Sequence, residues 1–388
     1  MSQKKLYQIT KWTEILKKEM GHLSKKEQEV LGLWSFGVGL TRNSSLTINS
    51  IVLSEFLDKK EETMRQRLRE FYKEAKKKKG KKRRELVVEE SFPALLRWIM
   101  KHWSSNQLPI AMDASTLGDK LTILSVSVLY RSCAIPVAWK ILRGNKPGAW
   151  NPEWFRMLSS LKNEVDKSVQ VLVLTDRGLF SGRLFKHIRK IGWHPFMRLK
   201  INGTFRPENE RKFCTLDKFI TSKGTFSQLE GTLFRTNPIK CTLFTFYGED
   251  AKEPWLIVTD IPAEQADPCW YSLRFWIEQS FRTIKKGGLQ WQNTRMTDPG
   301  RVERMWLVFA VTFIYLLLFG TQKDTFDHPH EITLYTRSKR RTSVFRKGWF
   351  SLLLAFFFDS FPKIGDFVPE RLPTHNLTPF NFSIERRL

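Results

Sequence analysis

Val169-Gln-Val-Leu-Val-Leu-Thr-Asp176-Arg-Gly178 decides how this chain is read. Val169 to Thr175 is nearly all β-branched or Leu. That suits a strand buried on both faces, as in the middle of an α/β sheet. The run ends at Asp176. A second short apolar run, Leu108-Pro-Ile-Ala-Met-Asp113-Ala-Ser115, also ends in Asp. In open α/β sheets functional groups gather just beyond strand ends. Asp113 and Asp176 are therefore candidates for one site, although each alone also suits a turn or a helix N-cap.

A third carboxylate lies in Tyr271-Ser-Leu-Arg274-Phe-Trp-Ile-Glu278-Gln-Ser-Phe-Arg-Thr-Ile-Lys285. Tyr271, Arg274, Glu278 and Lys285 are spaced by 3, 4 and 7 residues. On one α-helix they would fall within roughly 60° of one another. Such a stripe offers a carboxylate, two cations and a phenol, a surface for a metal ion and a phosphate. The same spacing also suits an amphipathic helix with a solvated polar face. Two Asp at strand ends and one Glu on a helix make an oxygen-only ligand set, which fits Mg²⁺ or Mn²⁺ better than zinc. Two such ions about 4 Å apart would activate a water or a 3′-hydroxyl and stabilise the leaving oxygen of a phosphodiester.

With these blocks in view, the chain resembles a DDE transposase of bacterial insertion sequences, in the cut-and-paste group marked by a Tyr-x2-Arg-x3-Glu-x6-Lys signature. Tyr271, Arg274, Glu278 and Lys285 match that signature without a gap. Ala111-Met-Asp113-Ala-Ser-Thr-Leu117 resembles the segment of the family's first Asp, and Leu174-Thr-Asp176-Arg-Gly-Leu-Phe-Ser181 that of its second. Trp255-Leu-Ile-Val-Thr259 and the segment Arg295 to Met305 resemble those before and after the Glu helix. The likeness spans roughly residues 104 to 320.

The resemblance implies Asp113, Asp176 and Glu278 as catalytic metal ligands for two Mg²⁺ or Mn²⁺ ions. It implies that Tyr271, Arg274 and Lys285 hold phosphates of the terminal nucleotides, and it extends DNA contact to Arg295 and Arg304. It implies that Trp255 stacks on a base flipped out near the cleavage site. Here the loop from that strand to Tyr271 is short beside the best-known members, which would displace the ring. Cleavage through a DNA hairpin, double-stranded DNA partners (terminal inverted repeats and target DNA) and a homodimer in the synaptic complex follow from the same resemblance.

The element order agrees with an RNase H-like α/β core. Pro109–Ser115, Leu121–Arg131 and Ala134–Leu142 read as three strands. Trp150–Val165 reads as a helix, Val169–Thr175 as a fourth strand and Ser181–Ile191 as a helix. From Ile201 to Glu253 short β-like runs such as Cys241-Thr-Leu-Phe-Thr-Phe246 alternate with Gly, Asn and Pro, as in a β-rich insertion. Trp255–Thr259 returns to the core, and Ala263–Lys286 is expected as the Glu helix. The expected division is 1–103 helical and DNA-end-binding, 104–200 core, 201–253 insertion, 254–320 core with the Glu helix, and 321–388 a basic and apolar C-terminal region.

Before the core, Ser45–Leu57 and Lys59–Lys73 suggest two helices joined at Asp58. Arg65, Gln66, Arg69 and Lys73 would share a face of the second, as in a helix-turn-helix reader of DNA. A plain helical hairpin with a charged outer face fits equally. Lys76-Lys77-Lys-Lys-Gly-Lys-Lys-Arg-Arg84 is a basic run suited to phosphate contact, or simply solvated. A net charge of +26 favours a polyanion partner and salt-sensitive binding.

The four cysteines show no CxxC or Cys/His spacing and read as free thiols. With no secretory hydrophobic region at the N-terminus, they place the protein in the cytoplasm, bacterial and nucleoid-associated by the resemblance. Met305 to Gln322 is apolar and at the lower limit for spanning a bilayer. Its place behind the Glu helix reads as a buried core helix with no membrane partner. Three function classes compete: a transposase, an RNase H-like nuclease without strand transfer, and an inactive DNA-binding derivative. The full carboxylate set disfavours the last, and the Tyr271, Arg274 and Lys285 stripe disfavours the second.

Overall fold

A computed structural model of the chain describes residues 3–78, 83–144, 148, 150–248, 251–327 and 342–373. Its centre is one ten-stranded sheet. Strand β1 (Gln107–Leu117) pairs antiparallel with β2 (Leu121–Tyr130), and β2 with β3 (Cys133–Arg143). On its other side β1 runs parallel to β4 (Gln170–Thr175), which runs parallel to β5 (His194–Arg198). The order β3-β2-β1-β4-β5 is the open α/β arrangement expected of an RNase H-like core. Every residue of β2 is buried, and β4 is buried from Val171 to Thr175, as their unbroken apolar sequences require.

The sheet does not end at β5. Strand β10 (Trp255–Thr259) pairs antiparallel with β5, and β9 (Ile239–Tyr247) pairs with β10. Beyond β9 come β8 (Thr225–Leu233), β6 (Thr204–Pro207) and β7 (Cys214–Thr215). The β-rich segment thus prolongs the core sheet. β5, a five-residue strand containing Pro195, was not expected. It is the element that lets the return strand β10 dock.

Ahead of the sheet lie α1 (Gln3–Glu19), α2 (Lys25–Thr41), α3 (Leu46–Leu57), α4 (Glu61–Tyr72) and α5 (Phe92–Lys101). Ser24 caps α2 in a reciprocal pair with Glu27, which satisfies two end N–H groups. Asp58, in the left-handed region at φ 50°, closes α3 and starts the turn into α4. Helices α6 (Asn151–Leu161) and α7 (Gly182–Lys190) flank β4, near their expected bounds.

Helix α9 (Pro299–Asp327) is long and apolar enough to cross a bilayer, yet 94% of its apolar window is buried inside the protein. Trp12 of α1 stacks on Tyr315 at 3.8 Å, and the Tyr315 hydroxyl donates to the Trp12 carbonyl at 2.6 Å. The run is the helix around which the N-terminal helices and the sheet share one core. Helix α10 (Val344–Phe357) packs on it. Residues 337–341 of a C-terminal basic stretch, 337–347, and residues 79–82 of the earlier basic run lie outside the described residues.

The expected continuous helix over 263–286 is four pieces, the first a 3-10 turn at Ala263–Gln265. Asp267 accepts from the Cys269 N–H and opens a 3-10 segment, Pro268–Arg274. Helix α8 (Phe275–Arg282) follows, then a π-helical turn, Thr283–Gly287. Asp followed by Pro is a helix-start signal, and it sets the beginning at 268. A regular stripe at 100° per residue is therefore not how Tyr271, Arg274, Glu278 and Lys285 meet.

Candidate active site

Register brings the two aspartates together. In the parallel β1–β4 pair Met112 lies opposite Thr175, so Asp113 and Asp176 follow on adjacent strands. The Asp113 side chain is 18% exposed. One of its oxygens accepts from the Ala114 N–H at 2.8 Å, and the other lies 3.6 Å from Arg274 Nη1. Burial pushes the Asp113 carboxyl up to about 6; the charges of Glu278 and Asp176 add to this, and Arg274 and the Ala114 N–H oppose it.

Arg274 is the hub. Its other guanidinium nitrogen donates to Glu278 Oε1 at 2.5 Å, four residues along the chain. Its Cζ lies 4.7 Å from the centroid of the Phe275 ring, and its Nε is buried without a hydrogen-bond partner among the described residues. Burial draws its pKa down, and the surrounding Tyr271, Asp113, Glu278 and Asp176 outweigh that and raise it. The guanidinium therefore stays charged.

Tyr271, fully buried, points its hydroxyl at Asp176 Oδ1, 3.5 Å away. Burial raises its pKa, so the phenol remains a donor. Lys285, on the π turn, donates to Ser115 Oγ at 2.7 Å and to the Thr116 carbonyl at 2.6 Å. Burial lowers its pKa, against the pull of Asp113. The five residues Asp113, Asp176, Tyr271, Arg274 and Glu278 thus share one site, with Lys285 clamped to the end of β1. π turns recur at functional sites because they re-aim side chains. This one is pinned from the N-terminal region. The Ser44 N–H donates to the Leu289 carbonyl at 2.9 Å, Asn43 Nδ2 to Gln290 Oε1 at 2.8 Å, and Arg42 to the Gly287 carbonyl. Ser115 lies within the recognised Asp113 block, but nothing local in the sequence marks Arg42 or Asn43.

A divalent ion needs three or more such donors around one point. Among the described residues no group of three or more His, Cys, Asp or Glu side chains is gathered closely enough. Arg274 lies between Asp113 and Glu278 and supplies the positive charge there. The donor chemistry, three carboxylates and no nitrogen or sulfur, fits Mg²⁺ or Mn²⁺.

Two expected DNA contacts are corrected. Trp255 is 5% exposed, and its ring packs against Phe246 at 5.8 Å, Tyr271 at 5.0 Å and Phe275 at 6.0 Å. It backs Tyr271 and is no open platform for a flipped base. Arg304 is 6% exposed and donates to the Tyr72 carbonyl at 2.7 Å, the Leu86 carbonyl at 3.4 Å and Glu85. It ties α9 to the segment after α4. Arg295 is exposed, at a left-handed position after a short 3-10 turn.

On α4, Met64, Leu68, Phe71 and Tyr72 are buried, which leaves the opposite face outward. Arg65, Gln66, Arg69 and Lys73 are half-buried there. Arg65 donates to Thr47 at 2.9 Å, while Gln66 and Lys73 both hold Glu70, at 2.6 and 3.2 Å. Lys76 and Lys77 are exposed.

Residues 155–316 match the family model of the transposase DDE domain. The matched span takes in Asp176, Tyr271, Arg274, Glu278 and Lys285 and begins after Asp113. The match supports a DDE transposase. No curated protein sequence matches the chain. Among solved structures the chain is similar to piggyBac transposase in a cryo-EM structure of its synaptic complex with hairpin DNA. Identity is 12% and the TM-score 0.37, over 91% of this chain and 78% of that one. That likeness is too slight to carry an argument.

Proposed function

We propose that this chain is a cut-and-paste DDE transposase of the Tyr-x2-Arg-x3-Glu-x6-Lys group. It cleaves DNA at the ends of a bacterial insertion sequence and joins the freed 3′-hydroxyls to target DNA. The observation that carries the reading is the convergence of Asp113, Asp176 and Glu278, from three separate elements, on Arg274 and Tyr271. In this reading Asp113, Asp176 and Glu278 hold divalent metal. The metal, when bound, lowers the pKa of an attacking water or hydroxyl and stabilises the leaving oxygen. Arg274, always charged, holds a phosphate oxygen near the cleaved bond. Tyr271 keeps its proton and orients Asp176. Lys285, fixed to Ser115 and Thr116, reaches a phosphate at the other side of Asp113. The chain acts as a homodimer across two element ends, passes through a hairpin intermediate, and works in the bacterial cytoplasm on the nucleoid.

The DNA-end-binding region of the proposal is the α3–α4 pair with exposed Lys76 and Lys77. The decisive experiment uses Glu278→Gln, which removes a charge and almost no volume. It should fold and bind the element's ends while losing Mg²⁺-dependent nicking by at least about 100-fold. Nicking at the wild-type rate would remove Glu278 from the site.

A further inference from the structure

Lys285 reaches the site on a turn that the first helices hold. Arg42, in the left-handed region at φ 53°, closes α2, and the loop of Arg42, Asn43 and Ser44 leads into α3. Asn43 is bound on both sides. Its Oδ1 accepts from the Ser45 N–H at 2.8 Å, and its carbonyl accepts from Nδ2 of Asn49, a fully buried residue of α3, at 2.7 Å. Its Nδ2 donates across to Gln290 Oε1, which also accepts from Asn293 Nδ2 at 2.9 Å. Gln290 sits at φ 51° and ψ 42°, a conformation that a non-glycine residue keeps only where its surroundings hold it. The two side-chain amides supply that hold.

The hold passes to the π turn. The N–H groups of Gly288 and Leu289 both donate to the Thr283 carbonyl, at 2.8 and 3.0 Å, and the Leu289 carbonyl accepts from Ser44. Lys285 stands inside the loop they close, and its Nζ meets Ser115 and Thr116, just beyond Asp113 on β1. On the other side, Arg65 of α4 donates to Thr47 of α3 at 2.9 Å. Hydrogen bonds therefore lead from α4 through α3, Asn43, Gln290 and the π turn to β1. A contiguous network of this kind can carry coupling between two sites, and whether it does is measurable.

We propose that Asn43 and Gln290 are positioning residues, which make the place of Lys285 beside the Asp113 strand depend on α3. The inference rests on the functional reading above and deepens it. A DNA end held on α3 and α4, and the cation that meets a phosphate of the cleaved strand, are thereby set in one frame. Asn43 and Gln290 act through Lys285 and not on the reacting atoms. Loop packing alone would behave differently. Its loss would lower the melt and end binding together, and would add to any loss made at Lys285 itself.

The test is Gln290→Gly in the full chain. Glycine suits the left-handed backbone, so lost hydrogen bonds and relieved strain offset one another, and the melt should stay near wild type. Without DNA or metal, reductive methylation of Lys285, read against the exposed Lys286, should rise about 5-fold or more. With Mg²⁺ and saturating element ends, the single-turnover nicking rate should fall about 5- to 10-fold, while end affinity changes less than about twofold. In a Lys285→Ala background the same change should cost less than about twofold further. Asn43→Asp keeps the Ser45 contact and loses the donor, and should match Gln290→Gly. Gln290→Glu keeps the acceptor and should nick like wild type. Unchanged Lys285 labelling in both Gln290→Gly and Asn43→Asp overturns the clasp. Losses that multiply in the Lys285→Ala background, a Lys285→Ala rate equal to wild type, or Gln290→Glu as slow as Gln290→Gly overturns the positioning role. Normal nicking by Glu278→Gln would instead remove the functional reading, and the labelling would still decide whether the clasp holds the turn.

Discussion

The two halves of the ten-stranded sheet are built from the same hydrogen-bonded ladder and differ in what covers them. In β3-β2-β1-β4-β5, helices α5 to α9 lie against the strands, and β2 and most of β4 have no exposed residue. Among the described residues no α-helix occurs between β6 and β10. Next to β10, β9 is still mostly buried, but farther out only Gly231 and Leu233 are buried in β8, only Phe205 in β6 and none in β7. All members of the candidate site stand in or against the covered half. In the covered half Asp113 and Glu278 both reach Arg274 and Asp176 lies beside Tyr271, whereas in the open half charges such as Lys240 and Glu208 pair at an exposed surface. The difference teaches that one sheet can hold a rigid low-dielectric site and a tolerant surface side by side.

The largest effect that could break this comparison involves Asp324. It is fully buried and holds Arg131, at the β2–β3 turn, and Lys347 of α10. Asp324→Ala leaves two cations without their partner and should cost about 3–5 kcal/mol of stability. In the open half Lys240 and Glu208 also pair, at 3.1 Å, but their side chains are 76% and 54% exposed. Lys240→Ala should change the unfolding midpoint by no more than experimental scatter. Chemical denaturation of both variants decides it, and equal losses would dissolve the distinction.

A smaller contrast comes from apolar side chains. Leu174 of β4 is fully buried, and Leu229 of β8 is half-buried. Leu174→Ala should destabilise by about 2–4 kcal/mol through lost burial and a residual cavity, and Leu229→Ala by less than about 1 kcal/mol. Comparable values would mean that the open half is covered in solution by something else, such as bound DNA or another subunit.

The same contrast explains what the sequence made legible. Val169–Thr175 could be read because burial on both faces leaves an unbroken apolar run, and Asp113 and Asp176 could be read because they end such runs. β5 was not readable, since His194-Pro-Phe-Met-Arg198 is short and carries Pro at a position that a central strand usually refuses. The pieces of the Glu helix were half legible: Asp267-Pro268 marks its start, but a π turn at 283–287 has no local signature. Arg304 and Trp255 were misjudged for a shared reason. Both residue types serve DNA contact and core packing equally well, and only tertiary burial separates the two uses. The clasp from Arg42 and Asn43 onto 287–290 spans more than 240 residues of sequence, beyond any periodicity.

The smallest expected effect tests whether the covered half really penalises charge. Asp113 has its carboxyl raised from the ordinary 3.8 to about 6, chiefly by burial. A carboxyl with a raised folded-state pKa costs stability as pH rises. Below about pH 4 the proton is bound in both folded and unfolded chains, and nothing is lost. Between about 4 and 6 the unfolded carboxyl ionises while the folded one resists. Above about 6 the full penalty is present. A shift of about two units corresponds to about 3 kcal/mol at most. Loss of the Arg274 contact in a variant offsets part of this. Asp113→Asn should therefore stabilise the metal-free protein by about 1–2 kcal/mol at pH 7, and by almost nothing at pH 4. Mg²⁺ should reverse the order at neutral pH, stabilising the wild type and leaving Asp113→Asn nearly unchanged. Thermal melts at the two pH values, with chelator and with Mg²⁺, give all four numbers. An Asp113→Asn gain that is the same at pH 4 and pH 7 would trace it to packing, and the covered half would then owe its site to shape rather than to the exclusion of water.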